Sequence, residues 1–168
     1  VPEAFRGVTW TTRQRREREI DGQDYIFVSE EVFMEAARSG AFLEWARVHS
    51  AYYGSPRNAV LTGLREGRLP ILVVDVQGGL AIKRRLPQSV LVFLAPPALE
   101  LLRERIAEAS DQRNDLGLRL ANAEWEMRHT PYYDYVITND TLERAVHDLE
   151  AVIRAEQLRS HRRRKALV

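Results

Sequence analysis

The chain has 168 residues, no cysteine and a formal net charge of +1, from 25 Lys and Arg against 24 Asp and Glu. A chain of this length makes one domain that buries roughly 70% of its unfolded surface, and it contains no apolar run near the roughly 20 residues of a membrane span. The lack of cysteine excludes disulfides and thiolate metal sites and suits a cytoplasmic protein, while the near-neutral charge provides no overall field for nucleic acid.

The first informative segment is Thr11-Thr12-Arg13-Gln14-Arg15-Arg16-Glu17-Arg18-Glu19, leading into Asp24-Tyr25-Ile26-Phe27-Val28. It sets guanidinium groups beside a phenol where a strand begins. Guanidinium forks bind phosphate oxygens in pairs and stay charged at physiological pH, so two of them three residues apart can hold a phosphate monoester. On charge pattern alone the run also reads as a solvated surface.

Ser29 to Gly40 predicts a helix with a Ser cap, early acids at Glu30 and Glu31, and a Gly stop. Tyr25 to Val28 and Phe42 to Trp45 have strand composition, which makes this part a small mixed β region with one helix. A second helix is predicted from Asn58 to Glu66, ending at Gly67. Pro70 then opens Ile71 to Val76, an apolar run without alternation, which predicts a strand covered on both faces. Val90 to Leu94 reads the same way.

A helix is predicted from Pro97 to about Ala109, broken by the polar segment Ser110 to Asp115 and followed by a helix from Leu116 to His129 that Pro131 ends. Tyr135 to Thr138 is a last short strand, and Leu142 to about Ser160 an amphipathic closing helix. Buried strands alternating with helices predict an α/β chain with a parallel-sheet core, the β-rich part before Pro70 being an inserted subdomain. His49, His129, His147 and His161 show no metal spacing, and His161 to Lys165 reads as a solvated basic tail.

Further motifs are Phe42-Leu43-Glu44-Trp45-Ala46, Tyr52-Tyr53-Gly54-Ser55-Pro56, Ile71-Leu72-Val73-Val74-Asp75-Val76-Gln77-Gly78, Val92-Phe93-Leu94-Ala95-Pro96-Pro97 and Asp134-Tyr135-Val136-Ile137-Thr138-Asn139-Asp140. In this order they resemble guanylate kinase, from about Val8 to about Glu156. The resemblance implies ATP-dependent phosphorylation of GMP to GDP, with Mg²⁺ arriving on the ATP and no protein-held metal. It implies a GMP-binding subdomain over about 9–69, a P-loop kinase-like core over about 70–97 and 130–160, and a helical lid with its flanking helices over about 98–129.

By the same resemblance Arg13 and Arg16 hold the GMP phosphate, Tyr25 and Tyr53 add hydroxyls to it, and Thr9 and Ser55 make further contacts on the nucleotide. Glu44 reads the base. Guanine presents two donors, N1–H and the 2-amino group, which one carboxylate can accept together, whereas adenine leaves that carboxylate poorly matched. Asp75 is implied beside the phosphates, orienting an arginine or a magnesium-bound water. Arg105 and Arg119 are implied to neutralise the moving phosphoryl group, and Asn139 to lie on the adenine side of ATP.

The chain departs from the family at several points. Arg15 stands for a proline, Arg18 for a glycine, and Val73 for a second acid near the guanine. The lid tip reads Ala109-Ser110-Asp111, with Arg113 the nearest stand-in for its arginine. The only lysines are Lys83 and Lys165, neither following a glycine, so no G-x-x-x-x-G-K-[ST] loop is present in these 168 residues. With Val1 in place of Met, this predicts a reading frame truncated upstream or a trimmed chain, although a processed or recombined domain would look the same.

The expectation is therefore a parallel core missing its P-loop strand, prone to self-association through the incomplete sheet and inactive by itself while carrying the acceptor site. The alternative is a kinase-inactive guanylate-kinase-like module whose Arg13, Arg16 and Tyr53 pocket binds a phosphorylated protein partner. An RNA-binding element is the weakest reading, given the charge balance.

Overall fold

The structure is a computed structural model that describes residues 3–48, 50–98, 100–104 and 116–159, with only the backbone described for Leu116, Leu118 and Arg119. The chain divides into two compact units, Val1–Ser89 and Val90–Val168.

The first unit contains β1 (Ala4–Arg6), β2 (Trp10–Thr11), β3 (Ile26–Phe27), α1 (Glu30–Arg38), β4 (Phe42–Val48), β5 (Ala51–Pro56), α2 (Arg57–Arg65), β6 (Leu69–Ile71) and α3 (Val76–Arg85). Four strands form a mixed sheet in the order β3-β2-β5-β4, and β1 pairs in parallel with β6. β2 runs parallel to β3 and antiparallel to β5, and β4 and β5 form an antiparallel hairpin. The register of that hairpin slips between Phe42 and Glu44, so that Phe42 opposes Pro56 while Glu44 opposes Ser55. Such a bulge re-aims side chains, and Phe42, Leu43 and Glu44 are consecutively buried.

Local chemistry accounts for α1. The Ser29 hydroxyl accepts from the Val32 amide at 3.3 Å, Glu30 and Glu31 sit in the first turn, and Gly40 takes φ +73° just beyond the end. The helix buries Phe33 completely, stacked on Phe42 at 4.7 Å and on Tyr52 at 5.6 Å. Burying a ring of this kind stabilises by roughly 1.5–3 kcal/mol. Phe33, Phe42, Leu43 and Val60 thus anchor the mixed sheet to α1 and α2. Gly63 in α2 admits Phe5 of β1, whose ring comes within 2.4 Å of where a Cβ would stand.

The expected strand over Ile71 to Val76 is corrected by the structure. Only Leu69–Ile71 is strand; the chain then leaves the sheet, Val73 is 69% exposed and Val76 opens a helix. The reason is Asp75, which ends no strand but caps α3, its Oδ1 accepting from the Gly78 amide at 2.8 Å. Asp followed by a Gly-containing turn satisfies the orphan amides of a helix start, and this outweighs the β preference of the preceding valines.

The second unit pairs β7 (Val92–Ala95) in parallel with β8 (Tyr135–Thr138), Val92 opposing Tyr135 and Ala95 opposing Thr138. Residues 100–104 are helical, α4 spans Leu116–Met127, a 3₁₀ turn spans Thr130–Tyr132, and α5 spans Leu142–Gln157. Continuous burial along β7 is not seen: Leu94 is exposed while Phe93 and Ala95 are buried. Asp134 accepts from the Leu91 amide at 2.8 Å, and the Tyr135 hydroxyl donates to Glu156 Oε1 at 2.7 Å, which ties β8 to α5 and raises the tyrosine's pKa. Among the described residues no helix is long and apolar enough to cross a membrane.

Candidate functional site

The first unit holds a cleft of about 220 Å³, lined by Thr9, Tyr25, Glu44, Ala46, Val48, Tyr53, Val73, Val74 and Asp75. Four elements meet there. Thr9 immediately precedes β2, Tyr25 immediately precedes β3, Glu44 and Tyr53 come from the hairpin, and Asp75 from the cap of α3.

Glu44 forms the charged wall. It is only 6% exposed, and the hydroxyl of fully buried Ser55 donates to its Oε1 at 2.6 Å. Burial pushes the carboxyl's pKa above the usual glutamate value; Asp75 adds to the rise, while Ser55 and the Arg85 guanidinium oppose it. Arg85 also donates to the Leu43 carbonyl, beside Glu44. A Cβ at position 78 would stand 3.0 Å from Glu44 Oε2 and 3.1 Å from Asp75 Oδ1, so glycine there admits both carboxylates to the same corner.

The basic half of the site is built on the loop between β2 and β3. Arg13 Nη2 and Nη1 donate to the two carboxylate oxygens of Glu19 at 2.7 and 3.1 Å, and Nη1 also donates to the Gln14 carbonyl at 2.7 Å. The guanidinium lies 5.4 Å from the Tyr25 ring centre and 5.7 Å from that of Phe27. Tyr25 and Tyr53 meet edge to face at 6.1 Å. Pairing with Glu19, then the nearby Tyr53 hydroxyl, raises the Arg13 pKa, and Arg13 with the Arg16 amide lowers that of Glu19.

The structure thus gathers Thr9, Tyr25, Glu44, Tyr53 and Asp75 around one cleft, with Ser55 behind Glu44 and Arg13 against Tyr25. Arg16 is fixed through its backbone, its amide donating to Glu19 Oε2 at 2.7 Å, and its side chain is exposed. Arg15 and Arg18 are exposed as well. Asn139 follows β8 in the second unit, its amide donating to the Ala95 carbonyl at 2.7 Å. Arg105, Arg113 and the lid tip lie outside the described residues, as does the side chain of Arg119. Among the described residues no group of three or more acids or histidines could hold a metal ion. Sequence reasoning missed Glu19 and Arg85; the only trace of Glu19 in the sequence is an acid six residues after Arg13.

A crystal structure of guanylate kinase from Anaplasma phagocytophilum superposes with a TM-score of 0.84 at 32% identity, over 95% of this chain and 79% of that one. The fold is therefore the α/β fold of the P-loop kinases. The guanylate kinase family model matches residues 2–156. Guanylate kinase from Thermotoga maritima is 40% identical over 151 residues, 89% of this chain and 73% of that protein. Guanylate kinase from Thermus thermophilus is 42% identical over 164 residues, 97% and 74% of the two chains. The chain belongs to the guanylate kinase family.

Proposed function

We propose that the cleft is the acceptor site of a nucleoside monophosphate kinase, binding GMP for phosphorylation to GDP by ATP, with Mg²⁺ carried on the ATP. The observation that carries this reading is the pairing of Ser55 with Glu44, which leaves a buried carboxylate as a wall of a cleft that also holds Tyr25 and Tyr53. A carboxylate so held suits the adjacent N1–H and 2-amino donors of guanine. Arg13, Arg16, Tyr25 and Tyr53 take the phosphate, Thr9 the nucleotide's flank, and Asp75 the phosphate side of the reaction. Arg105 and Arg119 neutralise the transferred group, and Asn139 contacts the adenine of ATP.

In this reading the 168 residues alone do not turn over, because ATP's β- and γ-phosphates need a backbone cradle and a lysine that no stretch of this sequence supplies. The test is calorimetric titration of GMP and AMP, with a coupled assay alongside. GMP should bind in preference to AMP, Glu44→Gln should remove the preference, and turnover should appear only when a glycine-rich phosphate loop is joined on. Equal affinity for both nucleotides would sink the acceptor reading. A pocket that takes a phosphorylated peptide equally well with Glu44→Gln would favour a protein-docking module.

A further inference from the structure

Among the groups at the site, Glu19 has no part in the functional reading and yet its carboxylate accepts three hydrogen bonds from Arg13 and Arg16. It sits on a loop that also carries four arginines and three other acids, where an unsupported arginine would sample many rotamers and lose that freedom on binding. Glu19 removes most of it beforehand. Its two oxygens take Nη2 and Nη1 of Arg13 at 2.7 and 3.1 Å, and Oε2 also accepts the Arg16 amide at 2.7 Å. The Glu19 amide closes the turn by donating to the Arg16 carbonyl at 3.1 Å.

The pattern of donors is informative. Arginine has five N–H groups. Glu19 and the Gln14 carbonyl engage both on Nη1 and one on Nη2. The N–H of Nε and the second N–H of Nη2 remain outside these bonds and lie along one edge, with the spacing that matches two oxygens of a phosphate, while the Tyr53 hydroxyl is the other group that acts on this guanidinium.

We propose that Glu19 is a positioning residue: it locks Arg13 by its terminal fork and Arg16 by its backbone, and so presents the Nε/Nη2 edge of Arg13 to the phosphate of the acceptor nucleotide. This rests on the reading of the cleft as the GMP site. A carboxylate that merely occupied the grip until phosphate arrived would depend on Arg13 for its place. Glu19 is anchored independently by the Arg16 amide, and its side chain is only 17% exposed. The aromatic rings of Tyr25 and Phe27 against the guanidinium complete the clamp.

The experiment is an NMR-monitored titration of the full chain with GMP and with guanosine, which lacks the phosphate. Glu19→Gln, which keeps the shape but loses the charge, should weaken GMP by about tenfold or more, consistent with loss of a charge-assisted pair. It should leave guanosine within about twofold, and add nothing to Arg13→Ala, because it acts through Arg13. Tighter GMP binding by Glu19→Gln would show a competitor and overturn the proposal. So would equal weakening of GMP and guanosine, which would mark a general structural role, or unchanged GMP binding alongside a loss in Arg13→Ala. If the unmodified chain fails to bind GMP, the acceptor reading falls, and this proposal with it.

Discussion

The Ser55 hydroxyl donates to Glu44 Oε1 at 2.6 Å across the bulge of the β4–β5 hairpin, with Ser55 wholly buried and Glu44 nearly so. A buried carboxylate is tolerated only with such partners. Ser55→Ala removes the donor while leaving the acid inside. Because hydrogen bonds to charged groups contribute about 1.5–3 kcal/mol, the variant should unfold at lower urea with an unchanged slope. Its Glu44 pKa should rise further, as Ser55 is the main group opposing desolvation.

Glu44 also sets a pH signature of two opposite signs. Burial raises its folded pKa above the ordinary 4.5. Between those two values the unfolded chain has released a proton that the folded chain keeps, so stability falls as pH rises through that window. Guanine needs the ionised form, so guanosine affinity should rise with pH over the same window. Guanosine serves because a phosphate titrates near pH 6 itself. Paired urea melts and titrations check this, and Glu44→Gln should flatten both curves. Glu19 contributes the opposite stability slope: its lowered pKa gives stability that is present above 4.5 and lost as pH falls through the depressed folded value.

Arg13→Ala should weaken GMP by about 1.5–3 kcal/mol, roughly 10- to 150-fold, and leave guanosine untouched. Arg13→Lys should recover little of this, because an ammonium lacks both the planar face that lies on Tyr25 and Phe27 and the second fork. Calorimetry with both ligands reads the difference.

Gly54 sits between Tyr53 and Ser55, and a Cβ there would stand 2.9 Å from Phe42 and 3.0 Å from Phe33. These rings are stacked and buried and have nowhere to go. Gly54→Ala should therefore destabilise by about 1–3 kcal/mol and lower the thermal midpoint. It should also weaken guanosine binding, because the ring shift displaces both site residues that flank it.

What could be read from the sequence divides along physical lines. The Ser29 cap, the Gly40 and Gly67 stops and the Tyr135 to Thr138 strand were legible because each rests on neighbours in the chain. Ile71 to Val76 misled because an apolar run carries no period that separates a buried strand from an approach to a helix, and the Asp75 to Gly78 cap was the overlooked signal. Glu44, Tyr25, Tyr53 and Thr9 were recognisable only as ordered motifs, since nothing local says that they share a cleft. Glu19 was opaque because a pair across a loop has no periodicity at all.

The site's contacts also carry an order of assembly. Glu44 and Ser55 are 11 residues apart on one hairpin, and Arg13 and Glu19 only 6 apart on one loop. Hairpins and short loops close within about 10 μs. The two halves meet where β2 lies against β5, a join marked by the Tyr52 amide donating to the Thr12 hydroxyl across 40 residues of chain, and where Tyr25 meets Tyr53 edge to face. Refolding should thus produce the Glu44–Ser55 hairpin and the Arg13–Glu19 loop as separate early pieces, with the docking of β2 on β5 the slow event that brings them together.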